Sequence, residues 1–142
     1  MIRGTTAQFK FKLPYNKEEI LLAEAKFWQS GNDKGLNSDY PLPITRAYKK
    51  PDEGEEVGVS PWTWIDDHTL VIRLGQQETL TFSDRYKARV QIRIRTASGA
   101  VFASTPQIFS VYSSGWTEPL GDDIDLPESG DEWVVFDGHT IR

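Results

Sequence analysis

Residues 68–112 read HTLVIRLGQQETLTFSDRYKARVQIRIRTASGAVFASTPQIFSVY. In the central run RVQIRIRT, every second side chain is aliphatic and those between are polar or basic. A period of two indicates a β-strand, because successive side chains of a strand point to opposite faces. HTLVIRL repeats the alternation, and Gly99 can adopt the positive φ of a tight hairpin turn. The run therefore predicts strand, crossover, strand, turn and strand, with one covered and one solvated face.

The rest of the chain adds further predicted strands. They lie at 7–13, 17–29, 44–48 and 57–64, the last running into a turn at Ser60-Pro61. The second of these contains helix-favouring Glu, Ala and Leu, but its apolar side chains alternate as in a strand. Tyr86 stands where immunoglobulin-like sandwiches place a tyrosine that hydrogen-bonds back to the backbone.

These elements predict an all-β fold, an immunoglobulin-like antiparallel β-sandwich with a C-terminal extended arm. We place the sandwich domain at 1–116 and an acidic linker with the C-terminal strand at 117–142. At 142 residues, such a chain can bury a core without cross-links. It has no cysteine, which excludes disulfides and thiolate metal sites and is typical of a protein assembled in a reducing cytoplasm. We predict neither a signal peptide nor a membrane span, because no apolar run is long enough.

The formal charge of −5 hides an asymmetry along the chain. Residues 85–95 contain five basic and no acidic side chains, whereas 96–141 contain eight acidic side chains and no Lys or Arg. An acidic total argues against a nucleic-acid partner, since affinity for nucleic acid depends largely on phosphate neutralisation. We expect the acidic tail to meet a basic surface, either its own or a neighbour's.

A short apolar segment, Trp133, Val134, Val135 and Phe136, follows a polar linker that is rich in Asp, Glu, Gly and Pro. Such a linker cannot bury enough apolar area to fold by itself. The apolar segment behaves like a detachable strand that adds to an exposed sheet edge. Two alternatives stay open: it closes an edge of its own sandwich, or it pairs with a neighbouring subunit.

Trp62 and Trp64 form an aromatic pair in the segment PWTW. At positions i and i+2 of an extended segment, they share a face and make an apolar platform. Three uses are open: plugging the end of the sandwich, anchoring a partner protein, or stacking on a sugar with other tryptophans. We treat the pair as candidate partner-binding residues.

Arg89, Arg93 and Arg95 form a basic stripe on the solvated face of the central strand. Such a stripe commonly serves solubility, but guanidinium groups also bind carboxylates through paired hydrogen bonds and so can receive a neighbour's acidic arm. Binding of a nucleic acid would call for aromatic residues between the arginines, and Gln91 stands there instead. The stripe is a second candidate partner-binding surface.

The sequence contains no recognisable catalytic constellation. His68 and His139 each stand alone, without a nucleophile and an orienting carboxylate at a meaningful spacing. The acidic run at 122–128 lacks the spacing and the glycine of a calcium loop, and the glycines are scattered at turns rather than gathered in a phosphate cradle. We therefore predict that the protein is not an enzyme and that it holds no cofactor and no metal.

Several motifs, distinctive as a set, support a family resemblance. They are the opening MIRGTT (1–6) followed by FKFKLP (9–14), KFWQ (26–29), LGQQETLTF (74–82), VQIR (90–93) leading to SGAVFAS (98–104), and the closing WVVFDG (133–138). Together they resemble a group of small proteins of tailed bacteriophages and prophages of gut and Gram-positive bacteria, encoded among virion genes. The resemblance covers most of the chain except 30–65, where this sequence carries a longer loop.

The resemblance implies a structural component of the virion, assembled in the bacterial host cytoplasm through contacts with other virion proteins and with copies of itself. It carries no catalytic residue across. We favour a tail or baseplate component, with capsid decoration or head-fibre attachment as the alternative. A host-surface carbohydrate-binding module, using the tryptophans, is the alternative from a different class.

Overall fold

The computed structural model of the chain describes residues 1–51, 62–122 and 131–137, and for 62, 63 and 131–137 it describes the backbone alone. Its strands are β1 Ala7–Lys12, β2 Ile20–Gln29, β3 Ile44–Lys49, β4 Trp62–Trp64, β5 Thr69–Leu74, β6 Ala88–Thr96, β7 Val101–Ala103, β8 Gln107–Phe109 and β9 Asp131–Asp137. Among these residues, one α-helix, α1, covers Gln76–Leu80, and a 3₁₀ turn covers Lys17–Glu19. Within the described ranges, neither helical segment is long and apolar enough to cross a membrane.

The strands form two sheets that pack face to face. The first has the order β4-β5-β1-β9, and the second has the order β3-β2-β6-β7, with β8 pairing with the other half of β6. The pairings are antiparallel apart from that of β9 with β1, which is parallel. This architecture confirms the predicted immunoglobulin-like β-sandwich.

The central strand β6 alternates as its sequence predicts. Val90, Ile92 and Ile94 are buried in the core, while the side chains between them are half-buried or exposed. Across the sandwich, the ring of Phe9 on β1 lies 4.9 Å from that of Phe27 on β2. Burial of each such side chain contributes roughly 1.5–3 kcal/mol, so this apolar layer is the main term that holds the two sheets together.

Strand β5 departs from a simple two-faced alternation. Leu70 and Ile72 face the core, and Val71 between them is only 1% exposed. β5 lies between β4 and β1, so it has a neighbouring strand on each side. A central position alone does not explain this burial, because β6 also has a neighbour on each side and still alternates buried and exposed side chains.

A buried glutamine, Gln29, fixes the crossover, which is the segment 75–87 that links β5 of the first sheet to β6 of the second. The Gln29 amide donates to the carbonyl oxygens of Ser83 at 2.7 Å and Tyr86 at 2.8 Å. Its side-chain oxygen accepts from the Ser83 N–H at 2.8 Å and from the Asn32 amide at 2.9 Å. Gln29 is 1% exposed, so these bonds replace water for a loop that has no ladder partner of its own.

Tyr86 departs from its expected role. Its ring is 42% exposed and lies over Gly31, and within the described part of the chain its hydroxyl makes no hydrogen bond to the backbone. The side chain that ties the crossover to the sheet is Gln29, through the Tyr86 carbonyl. The tyrosine corner of immunoglobulin domains is thus replaced by a glutamine that reaches across from β2.

The predicted hairpin between β6 and β7 is confirmed. Gly99 has φ +89°, and its N–H donates to Thr96 O at 2.9 Å. Between β7 and β8, the Ser104 hydroxyl accepts from the Ile92 N–H at 3.1 Å, and the Ser104 N–H donates to Ile92 O at 2.8 Å. Ser104 therefore keeps the middle of β6 paired where β7 has ended and β8 has not begun.

The C-terminal strand β9 joins the sheet of its own chain. It pairs in parallel with β1, from Ala7 opposite Asp131 to Lys12 opposite Asp137, with a register irregularity between Gln8 and Phe9. Of the two alternatives for the apolar segment, this is closure of its own sandwich edge. The boundary between domain and arm at residue 116 stays a prediction.

Candidate functional site

The outward side of the second sheet carries three of the predicted partner-binding residues, Arg89, Arg93 and Arg95. We call this surface the basic face. Its members alternate with buried core residues along the strands, and they are Leu22, Glu24, Lys26 and Trp28 on β2, Arg89, Gln91, Arg93 and Arg95 on β6, and Val101 and Ile108 on β7 and β8. Lys49 on β3 extends it, opposite Leu22.

The strand register brings the arginines of β6 beside side chains of β2. Arg93 lies opposite Glu24, and its guanidinium donates to a Glu24 carboxylate oxygen from Nη2 at 2.7 Å and Nε at 3.0 Å. Arg89 donates to the Ser30 hydroxyl at 3.2 Å. The Arg93 guanidinium thus uses Nη2 and Nε for Glu24, and its remaining N–H donors face solvent.

Arg95 differs from its two neighbours. It is exposed and forms no ion pair within the described ranges. Its cross-strand partners are Leu22 on β2 and Val101 on β7, two aliphatic side chains. A free guanidinium between two apolar side chains can bind a carboxylate while its flanks bury aliphatic groups.

The basic face is also unusually apolar for a solvated surface. Leu22 is 44% exposed, Val101 55% and Ile108 56%. A groove of about 380 Å³ is lined by Leu22, Arg93, Arg95 and Val101 among others. A second groove of about 420 Å³ adjoins it and shares Arg93. Aliphatic side chains set among arginines are typical of protein interfaces rather than of solvated sheet faces.

The aromatic pair lies on a different part of the molecule. β4 is the outer strand of the first sheet, with Trp62 opposite Ile72 and Trp64 opposite Leu70. The Trp64 ring is half-buried and packs edge-on against Tyr48, with centroids 6.0 Å apart. Its indole N–H is buried and has no hydrogen-bond partner among the described residues. Trp64 on β4 of the first sheet thus packs against Tyr48 on β3 of the second and helps to close this side of the sandwich. The Trp62 side chain is not among those that the structure describes.

The three predicted surfaces do not converge on one site. Arg89, Arg93 and Arg95 are on the outer face of the second sheet, whereas β4 and β9 are the two outermost strands of the first sheet in the described part of the chain. Trp133, Val134, Val135 and Phe136 lie within β9, and their side chains are outside the described set. Partner binding by each of these surfaces stays a prediction.

A groove that the sequence did not reveal lies at the end of the sandwich beside α1. It has a volume of about 650 Å³, and its walls include Arg3, Gln76, Trp116 and Glu118. The Trp116 indole is 75% exposed. Its loop is held in place because the Ser114 hydroxyl donates to Arg3 O at 3.1 Å. The only sequence signal was a tryptophan in a polar segment, which does not identify neighbours more than a hundred positions away.

Two ionisable groups with shifted pKa values lie away from these surfaces. Burial lowers the pKa of Arg46, which forms an ion pair with Glu78 of α1. The pKa of Asp66 is lowered because its carboxylate accepts hydrogen bonds from the His68 N–H and from the Thr69 hydroxyl. Both groups stabilise local structure: one ties β3 to the crossover helix, and the other forms the turn before β5.

No cluster of three potential metal-ligating side chains occurs among residues 1–51, 62–122 and 131–137. Of the acidic run considered for calcium, Asp122 is exposed, and Asp123, Asp125 and Glu128 lie outside these ranges.

Comparison with known proteins adds no family. No protein-family model matches the chain, and no curated protein matches it significantly.

Proposed function

We propose that this chain is a structural protein of a tailed-phage virion, without catalytic activity, which works through contacts with other virion proteins and with copies of itself. The tail or baseplate is its favoured location, ahead of capsid decoration or head-fibre attachment. The motif resemblance supports the virion assignment, and the basic face supports assembly through protein contacts.

The basic face is the observation that carries the assembly role. A sheet face that is exposed to solvent ordinarily carries polar side chains, but this one exposes Leu22, Val101 and Ile108 around its arginines. Covering the three aliphatic side chains removes apolar surface from water, which favours association at about 25 cal/mol per Å². Arginine is enriched in interfaces because its planar group bonds carboxylates while its stem packs on apolar atoms.

The sheet edges provide further possible contacts. Within the described part of the chain, β3 is the last strand on one side of the second sheet and β4 the last on one side of the first. An edge strand presents unpaired N–H and C=O groups that an incoming strand can pair with. Edge pairing and the basic face give this small domain more than one way to bind its neighbours.

The test is the location of the chain in assembled particles. Particles are purified from a culture in which the phage carrying this gene is induced, then analysed by mass spectrometry and by immunogold electron microscopy with an antibody to the chain. We expect its peptides in gradient-purified particles and gold at the tail. Gold on the head would support the decoration alternative, and complete particles that lack the chain would refute the virion assignment.

The groove beside α1 favours a second candidate function, binding of a host-surface carbohydrate. An exposed indole such as Trp116 stacks on the apolar face of a sugar ring, and Arg3, Gln76 and Glu118 lie around it as hydrogen-bonding groups. A glycan array probed with the full chain and with Trp116→Ala tests this function. Saturable binding that the variant loses supports it, and the absence of any glycan signal refutes it.

A further inference from the structure

We infer that the basic face binds residues 122–126 of a second copy of this chain, in a head-to-tail contact that can repeat. This inference rests on the proposed assembly function and names the partner for one of its surfaces. It follows from the chemistry of the segment, the chemistry of the groove, and the points at which the segment is attached to its own domain.

The segment has the pattern that the groove calls for. Residues 122–126 read Asp-Asp-Ile-Asp-Leu, so carboxylates alternate with aliphatic side chains from Asp123 to Leu126. When such a segment is extended, its carboxylates point to one side and its aliphatic side chains to the other. It belongs to a stretch, 96–141, that has eight acidic side chains and no Lys or Arg.

The basic face offers the complement. Counting its charged members, Lys26, Lys49, Arg89, Arg93 and Arg95 stand against the single carboxylate of Glu24, in a chain whose total charge is −5. At the groove of about 380 Å³, the exposed aliphatic groups of Leu22 and Val101 flank Arg95, which has no ion-pair partner among the described residues. Carboxylates can reach the guanidinium groups while aliphatic side chains cover Leu22 and Val101.

The segment is attached to its own domain on the side of the molecule opposite its own basic face. Before it, Leu120 is fixed by the Gln76 amide, which accepts from the Leu120 N–H at 2.7 Å and donates to Leu120 O at 3.3 Å. After it, Asp131 lies opposite Ala7 at the beginning of β1. Both attachment points belong to the side of the first sheet, and the basic face points away from that sheet.

The chain between the two attachment points is too short for residues 122–126 to reach Arg95 of the same copy. Phe9 on β1 contacts Phe27, which pairs with Val90, so the attachment points lie at the end of the sandwich where β6 begins. Arg95 is seven positions beyond Ala88; this is about 23 Å along the strand, and the sheets are a further ~10 Å apart. The residues at 121–130 span at most about 35 Å and would have to travel there and back. The groove at Arg95 is therefore filled by a second copy.

The contact that results is heterologous, because the segment of one copy meets a different surface on the next. Such contacts build rings when the rotation closes and open chains when it does not. A single contact of this size buries less than the roughly 1,200 Å² of a stable complex, so we expect weak association that repetition strengthens. Because it depends on exposed charges, it should weaken as salt is added.

Sedimentation velocity on the full chain, from micromolar to near-millimolar concentration, tests the inference. Two variants remove one side of the contact each: Arg95→Glu on the face, and Asp123→Asn with Asp125→Asn in the segment. Lys34→Glu is the matched control, because Lys34 is an exposed basic residue in a turn outside the basic face. Thermal melting of each variant confirms that it is folded.

We expect the unmodified chain and Lys34→Glu to form species larger than dimers, and each of the two test variants to raise the dissociation constant by about tenfold or more. An equimolar mixture of the two test variants should form a one-to-one dimer and stop there, since each supplies the half that the other lacks. A chain that stays monomeric throughout, or association that either test variant leaves unchanged, would overturn the inference. The presence of the chain in virions is a separate measurement, so either proposal can fail without the other.

Discussion

Replacing Gln29 by methionine tests whether one side chain holds the crossover between the sheets. Methionine has nearly the same length and volume, so Gln29→Met removes hydrogen bonds without opening a large cavity. Four bonds disappear: two to the carbonyl oxygens of Ser83 and Tyr86, one from the Ser83 N–H, and one from Asn32.

The expected loss of stability follows from what the substitution leaves behind. Ser83 is 5% exposed, so its N–H and C=O lose their partners in a place that water does not reach freely. Each buried group left without a hydrogen bond costs about 1–3 kcal/mol, and the groups at Tyr86 and Asn32 cost less because they are nearer to solvent. We expect a total of about 3–5 kcal/mol, which is a large share of the roughly 5–15 kcal/mol that stabilises a typical domain.

Urea unfolding at 25 °C, followed by tryptophan fluorescence, measures the difference directly. Gln91→Met is the matched control, because the Gln91 amide makes a single bond, 2.8 Å to Ser104 O, at a half-buried site. The control should lose only about 0.5–1.5 kcal/mol. Hydrogen exchange adds a local measurement, since the Ser83 amide should lose protection in Gln29→Met alone. Equal losses in the two variants, or an unchanged Ser83 amide, would refute this account of the crossover.

Three further predictions concern other contacts. Glu78→Gln leaves the half-buried Arg46 without its counter-charge and should lower the free energy of unfolding by about 1–3 kcal/mol in urea titrations, whereas no loss would mean that this ion pair contributes nothing net. Asp66→Ala should destabilise the turn before β5 at neutral pH. Because the Asp66 pKa is lowered in the folded state, the difference in stability between the variant and the parent chain should shrink as pH falls below about 4. A difference in stability that does not change with pH would contradict this. Gly35→Ala should lower the melting temperature more than Gly99→Ala. Both glycines have positive φ, but a Cβ at Gly35 would collide with the buried Thr81 hydroxyl, while Gly99 has open space around it. Similar melting temperatures would contradict the packing argument.

The elements that the sequence predicted correctly are those with a strong local pattern. Alternation in 88–96 identified β6 and its buried face, and Gly99 identified the hairpin turn. Residues 20–29 form a strand although they contain helix-favouring residues, because their alternating apolar side chains pack against the first sheet. In each case the period of two determined which side chains were buried, and burial outweighs the small differences in intrinsic propensity.

Irregularities in pairing were beyond local reasoning. The register between β2 and β6 shifts between Ile20 and Leu22, so Leu21 is an extra residue and both leucines that follow Ile20 are partly exposed. The sequence shows two adjacent leucines and nothing that says where a bulge falls. The register of a strand is set by its partner, and the partner of this segment lies about seventy positions away in the chain.

The sequence by itself determined the fold class, the inward face of the central strand, and the separation of basic and acidic charge along the chain. Only the tertiary structure decided which residues share a surface: that Leu22 and Val101 flank Arg95, that Gln29 reaches Ser83 across 54 positions, and that β9 pairs with β1 of its own chain. The physical reason is that alternation fixes the direction of a side chain relative to its own backbone, whereas its neighbours depend on long-range strand pairing. No local pattern carries that information.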